Sequence, residues 1–215
     1  MQCLAIFHEF TLLNHGRRRA AKAAAARDGL SWNDRWKLAW DDRRREDVVM
    51  EIREIEPFLD YWDKIRGRTL RVARCIPPER IEWSFREGRW TFGDLLRHLG
   101  AIERYMFAEN VQGRPSRYPG CGRELTDGYD EVFAFLDRAH AEAMAIFAGL
   151  SPEGLQGRCE TPGGAAVPVW KWLRSMVEHE CHHRGQLYLY LAQLDIPTPP
   201  LYDLTSEEVL ERSVG

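Results

Sequence analysis

Four stretches of this chain repeat apolar side chains at steps of three and four residues, the period of α-helices with one buried face. The first runs from about Val48 to Cys75, with the stripe Ile55, Phe58, Leu59, Trp62, Ile65 and Val72, and Pro77-Pro78 ends it. The second opens at Thr91, where Thr91-x-x-Asp94 has capping-box spacing and Trp90 stands just before it. Its stripe is Leu95, Leu99, Ile102 and Met106. The third extends from Asp127 to Gly149 with Phe133, Leu136, Met144 and Phe147 inward. The fourth begins at Pro168, a residue suited to a first turn, and ends before Pro197. No stretch alternates as a strand and no hairpin turn stands out; the segment around Pro162-Gly163-Gly164 reads as an irregular excursion. The expected fold is all-α, because a four-helix bundle is the economical way to bury four stripes.

These signals place the bundle at residues 48–205, with a tail at 206–215 and an extension at 1–47 that is expected to be partly disordered or helical. In the extension, Ala20 to Ala26 is of low complexity, and Trp32, Trp36 and Trp40 form an aromatic stripe. That stripe is read first as packing on the bundle and otherwise as a partner or dimer surface.

Composition narrows the function classes. Apolar residues at 44% suffice for a core, and a net charge of -3 gives no electrostatic reason to seek nucleic acid. No apolar run reaches the roughly 18 residues of a membrane helix. The Arg17-Arg18-Arg19 cluster follows the apolar start instead of preceding it, unlike a secretory signal, so a cytoplasmic location is expected. The five cysteines, Cys3, Cys75, Cys121, Cys159 and Cys181, form no CxxC pair and read as reduced structural thiols.

The histidines carry the functional signal. The inward face of the fourth helix reads Trp172, Met176, His179, His183, Leu187, Tyr190 and Leu194. Two imidazoles four residues apart have Cβ atoms roughly 5–6 Å apart, and both can reach one metal ion at about 2.0–2.1 Å. His98 falls between Leu95 and Ile102 on the inward side of the second helix, although spacing alone does not tie it to the pair. Burying three rings without partners costs roughly 1–3 kcal/mol each, and a shared ion removes much of that by taking a lone pair from each. His140, on the third stripe, reads as a core histidine with a hydrogen-bond partner and secondarily as a pocket residue. His182 lies off the inward face, and His8 and His15 fall in the extension.

His179-Glu180-Cys181-His182-His183 also matches H-E-x-x-H, the zinc-protease signature in which the glutamate is a general base. The context is poor. The H-x-x-G-x-x-H continuation is absent, and no strand-built substrate cleft precedes the motif.

Two runs point elsewhere: Trp90-Thr91-Phe92-Gly93-Asp94-Leu95-Leu96-Arg97-His98-Leu99, and His179-Glu180-Cys181-His182-His183-Arg184-Gly185-Gln186-Leu187 with Pro197 and Pro199-Pro200 after it. Together they resemble the DinB-like superfamily of bacterial metal-binding bundles over about residues 50 to 205. The resemblance implies a four-helix bundle with a long crossover connection. It implies a divalent metal, usually zinc or nickel, on His98, His179 and His183, with coordination positions left open for water or substrate. It also implies small-molecule chemistry, since members include transferases and isomerases that use low-molecular-weight thiols such as bacillithiol or mycothiol. The expectation is a metal-dependent thiol S-transferase; a metal-dependent hydrolase and a non-catalytic metal- or ligand-binding bundle are the alternatives. Candidate pocket residues are Tyr105, Glu109, His140 and Gln186, each with a plain alternative as a helix-surface or packing residue. Glu180 is expected to orient a ligand imidazole or to be solvated, and Arg184 to bind an anionic substrate or pair with a carboxylate. A homodimer is compatible with the resemblance and is not visible in the residues.

Overall fold

The computed structural model describes residues 51–213. The expectations for the extension at 1–47, its tryptophan stripe included, fall outside the described residues. Four long helices form the bundle: α1 (Ile55–Ala73), α2 (Phe92–Ile102), α3 (Tyr129–Ala148) and α4 (Val169–Ala192). A short helix, α5 (Ser206–Arg212), stands where a plain tail is expected, and a Thr205/Glu208 capping box closes its first turn. Among the described residues no helix is long and apolar enough to cross a membrane.

α1 starts later than the sequence indicates, since residues 51–54 are not helical. Pro57 gives the reason. In the first turn its missing N–H would have had no partner, but a helix extended upstream would lose that bond and clash with the carbonyl of Arg53.

α2 also departs from its expected face. It runs on through a π-helical stretch, Glu103–Phe107, into a last turn at Ala108–Asn110. The wider turn shifts the phase, so that Glu103 and Phe107 are buried while Met106 is only partly so.

The core explains the topology. One apolar cluster joins the first half of α1, the end of α2, the second half of α3 and the first half of α4, with Phe58, Trp62, Phe107, Phe147 and Leu173 buried in it. The other joins the end of α1 with the start of α2 and α3 and the end of α4, around Val72, Phe92, Leu95, Leu136 and Leu187. Thus α1 and α4 run one way and α2 and α3 the other. Each of α1 and α2 packs on both α3 and α4, so α1 sits diagonally across from α2. Because α2 and α3 are parallel, residues 111–128 must return along the outside of the bundle. This is the long crossover connection.

One feature of the α3–α4 connection was not expected. Arg158–Glu160 and Ala166–Pro168 pair as an antiparallel hairpin, with Cys159 opposite Val167, around a turn in which Gly164 has φ 77°. Strands of three residues are too short for alternation to register in the sequence; Cys159 turns into the core and Val167 packs against it.

Candidate metal centre

Between the two apolar clusters lies a polar layer to which all four helices contribute: Arg66 and Thr69 from α1, His98 and Glu103 from α2, His140 from α3, and His179, Glu180, His183 and Arg184 from α4. His98 and His183 are buried and His179 is partly exposed.

The start of α2 is locked in place. Thr91 caps it reciprocally with Asp94, and its first N–H groups donate to the loop before it, Phe92 to the Trp83 carbonyl at 3.1 Å and Gly93 to the Ile81 carbonyl at 2.6 Å. His98 therefore leaves a fixed helix and faces α4. His179 and His183 meet it because a four-residue step keeps both on the facing side.

The three Nε2 atoms converge, 2.9 Å from His98 to His179 and 3.1 Å from His179 to His183. The proton positions follow from the partners. The Gln186 Oε1 accepts from His183 Nδ1 at 2.6 Å, so His183 Nε2 carries a lone pair. With His179 Nε2–H donating to that lone pair, His98 Nε2, facing the same proton, also carries a lone pair. In that arrangement His98 Nδ1–H donates to the Tyr118 hydroxyl oxygen at 2.8 Å. Burial, reinforced by His183 and His182, pushes His98 down to about 2. Burial pushes His183 down to about 4 against the Gln186 bond, and holds His179 well below the usual histidine range. All three rings are neutral at pH 7, the state a metal ligand requires.

This donor set fits a divalent ion. Two nitrogens each about 2.0–2.1 Å from one ion lie roughly 3 Å apart, and the observed separations are 2.9 and 3.1 Å. Three imidazoles also leave room for further ligands, unlike a closed four-ligand structural site. Aromatic rings flank the triad. Trp90 lies 4.7 Å from His98 and stacks on His183 at 5.8 Å, and Phe107 is 6.3 Å from His179.

The other candidates fall into three groups. Gln186 is at the site, as expected, though as a partner of a ligand ring. His140 donates to Glu103 at 2.8 Å, the core role read for it. The remainder take packing, ion-pair or hydrogen-bonded roles. Glu109 is buried and neutralised by Arg104, Arg114 and Arg117, and Tyr105 packs beside Ala101, Phe135 and Ala139. Arg184 is buried, its guanidinium donating to the Ile65 carbonyl and to Cys181, and among the described residues it pairs with no carboxylate.

Glu180 is neither solvated nor bonded to an imidazole. It lies 3.4 Å from Arg66, which pairs at 2.6 Å with Glu103, and Glu103 also accepts from Trp62 at 2.6 Å. Burial raises the Glu180 carboxyl more than Arg66 lowers it, whereas for Glu103 the opposing pull of Arg66 and His140 overcomes burial. A glutamate held in this way faces the wrong side for the general base of an H-E-x-x-H protease. Sequence reasoning missed Arg66, Glu103 and Tyr118. The phase shift at the π stretch hides Glu103, and nothing local marks Tyr118, which reaches His98 only because the crossover passes it.

A cleft of about 380 Å³ opens at the far end of the bundle between Asn110–Ser116 and Glu160–Pro162. It contains none of the three imidazoles. The convergence of three neutral donors is the more specific signal.

Comparison with known proteins agrees with this architecture. The profile of the DinB superfamily matches residues 61–187. YrdA of Bacillus subtilis is 21% identical over 159 residues, covering 72% of this chain and 91% of that protein. Among solved structures, a DinB-like protein from Bacillus subtilis superposes with a TM-score of 0.57 at 19% identity, covering 70% of this chain and 100% of the other. A DinB-like protein from Bacillus cereus gives 0.51 at 18% identity, with 69% and 97% covered. A four-helix bundle protein gives 0.50 at 26% identity, with 63% and 99% covered.

Proposed function

Because the chain belongs to the DinB superfamily, we propose that it is a metal-dependent enzyme of small-molecule chemistry, holding one zinc or nickel ion on His98, His179 and His183. The reaction class that fits best is transfer of a low-molecular-weight thiol to an electrophile. The observation that carries this reading is the convergence of three Nε2 atoms from neutral, buried or half-buried rings. A divalent ion held there supplies Lewis acidity, lowering the pKa of a thiol or water that reaches it.

The chain's own residues do the rest. Gln186 and Tyr118 accept the Nδ1 protons of His183 and His98 and so aim their lone pairs inward. Trp90 and Phe107 keep bulk water from the rings they flank. His179, the least buried of the three rings, offers the side from which a small molecule would approach.

The test is elemental analysis of the purified protein beside His183→Ala, each titrated with small thiols. About one ion per chain, lost in the variant and spectroscopically perturbed by thiol when cobalt is substituted, supports the proposal. An ion that ignores thiols leaves a metal-binding bundle of other purpose. A wild-type protein that binds no ion after reconstitution overturns the site.

A further inference from the structure

The residue before the first ligand is a fully buried arginine. Arg97 NH2 pairs with Glu82 in the α1–α2 loop, and its NH1 donates to Asp94 at 2.8 Å and to the Cys121 carbonyl in the crossover at 3.2 Å. Glu82 also accepts from the Thr91 hydroxyl at 2.8 Å. One guanidinium thus joins two separate loops to the first turns of α2. Those loops carry the two aromatic residues that touch His98. Trp90 precedes Thr91 directly, and Tyr118 is three residues before Cys121.

The helix gives up a side chain to make room. A Cβ on Gly93 would stand 2.6 Å from Arg97 NH2 and 2.7 Å from Glu82 Oε1. Arg97 Nε is buried without a partner among the described residues. Burying a charge in this way is poor value for stability alone, since apolar residues of similar volume do as well or better. What the guanidinium offers beyond them is a planar fork that bonds several fixed oxygens at once.

We propose that Arg97 is a positioning residue for the candidate metal centre, clasping the α1–α2 loop and the crossover so that Trp90 and Tyr118 are held against His98. By holding the Tyr118 hydroxyl at His98 Nδ1, it gives the Nδ1 proton an acceptor and so leaves the Nε2 lone pair toward the other two rings. A competing anchor exists, because the Arg117 N–H donates to the Tyr105 carbonyl at 2.8 Å close to Tyr118. The experiment separates the two.

The metal-free protein is labelled with nitrogen-15 and its histidine tautomers are read by NMR in wild type, Arg97→Lys, Gly93→Ala and the milder Glu82→Gln. The clasp predicts the Nδ1–H tautomer at His98 in wild type and its loss or mixing in every folded variant, while His183, held by Gln186, does not change. An unaltered His98 in folded variants overturns the proposal and assigns Tyr118 to the Arg117 anchor. If Arg97→Lys and Gly93→Ala do not fold, Glu82→Gln decides alone. A second arm rests on the metal reading. Cobalt affinity should fall about tenfold in Arg97→Lys, with no further loss when Tyr118→Phe is added; strictly additive losses count against the clasp. Absence of cobalt binding in wild type defeats the metal reading and leaves the tautomer arm to decide this one.

Discussion

The Nε2 atoms of His98 and His179 stand 2.9 Å apart across a sequence separation of 81 residues, with His183 Nε2 only 3.1 Å beyond. Three nitrogens this close accommodate one proton, and the partners on the far side of the rings decide which nitrogen carries it. Gln186→Ala removes the acceptor that orients His183. Zinc affinity, measured by competition with a chelating indicator, should drop about tenfold with no change in stoichiometry. An unchanged affinity would mean that backbone geometry alone aims the ring.

The Arg66 guanidinium contacts both buried carboxylates of the mid-bundle layer, Glu103 at 2.6 Å and Glu180 at 3.4 Å. Arg66→Met strands Glu103 and Glu180 and should destabilise the protein by about 3–5 kcal/mol. Adding Glu103→Gln and Glu180→Gln should recover a large part of that loss. Urea unfolding of the single and triple variants checks this; equal instability of both would show that shape, not uncompensated charge, dominates.

Glu109 governs acid stability at the far end. Burial alone would raise its carboxyl, but hydrogen bonds from Arg104, Arg117 and Arg114 outweigh burial and bring it down to about 2. A carboxylate with a depressed folded pKa contributes stability that is present above its unfolded value of about 4.3 and is lost as pH falls through its folded value. Glu109→Gln should cost about 2 kcal/mol at pH 7, less than a fully buried pair because Arg114 and Arg117 are half exposed or more. Its stability should also vary less than that of wild type as pH falls from about 4.3 toward about 2. Parallel pH curves for the two proteins would refute the assignment.

Gly100 lies where α2 meets α3. An added Cβ would stand 3.0 Å from the Phe135 ring and 3.4 Å from Ala139 and Leu136. Alanine gains roughly 1 kcal/mol of helix propensity, but forcing a ring in a packed core costs roughly 1–3 kcal/mol. We expect Gly100→Ala to lose about 1 kcal/mol in thermal or urea unfolding. A stabilised variant would show that Phe135 yields freely.

Sequence and structure agree where a residue's role is set by its own helix. The i, i+4 spacing places His179 and His183 on one face whatever lies opposite, and the Thr91/Asp94 cap starts α2 where the residues indicate. Agreement fails where geometry departs from the regular period. The π-helical stretch replaces Met106 with Phe107 in the core and brings Glu103 inward to Arg66, a displacement that a steady 3.6-residue period cannot anticipate. The short hairpin around Gly164 escaped for the opposite reason, having too few residues to show any period.

The residues alone therefore determined four apolar stripes, their approximate limits, and a histidine pair with metal-ligand spacing, because helical periodicity and capping act over three to five neighbouring positions. Which stripes face one another, what partners hold each imidazole, and what Glu180, Arg184 and Glu109 bond to were decided by the tertiary structure. Those outcomes depend on helix order and on the path of the crossover. Tyr118 reaches His98 only because parallel α2 and α3 force the chain back along the bundle, past a ring it meets nowhere in the sequence.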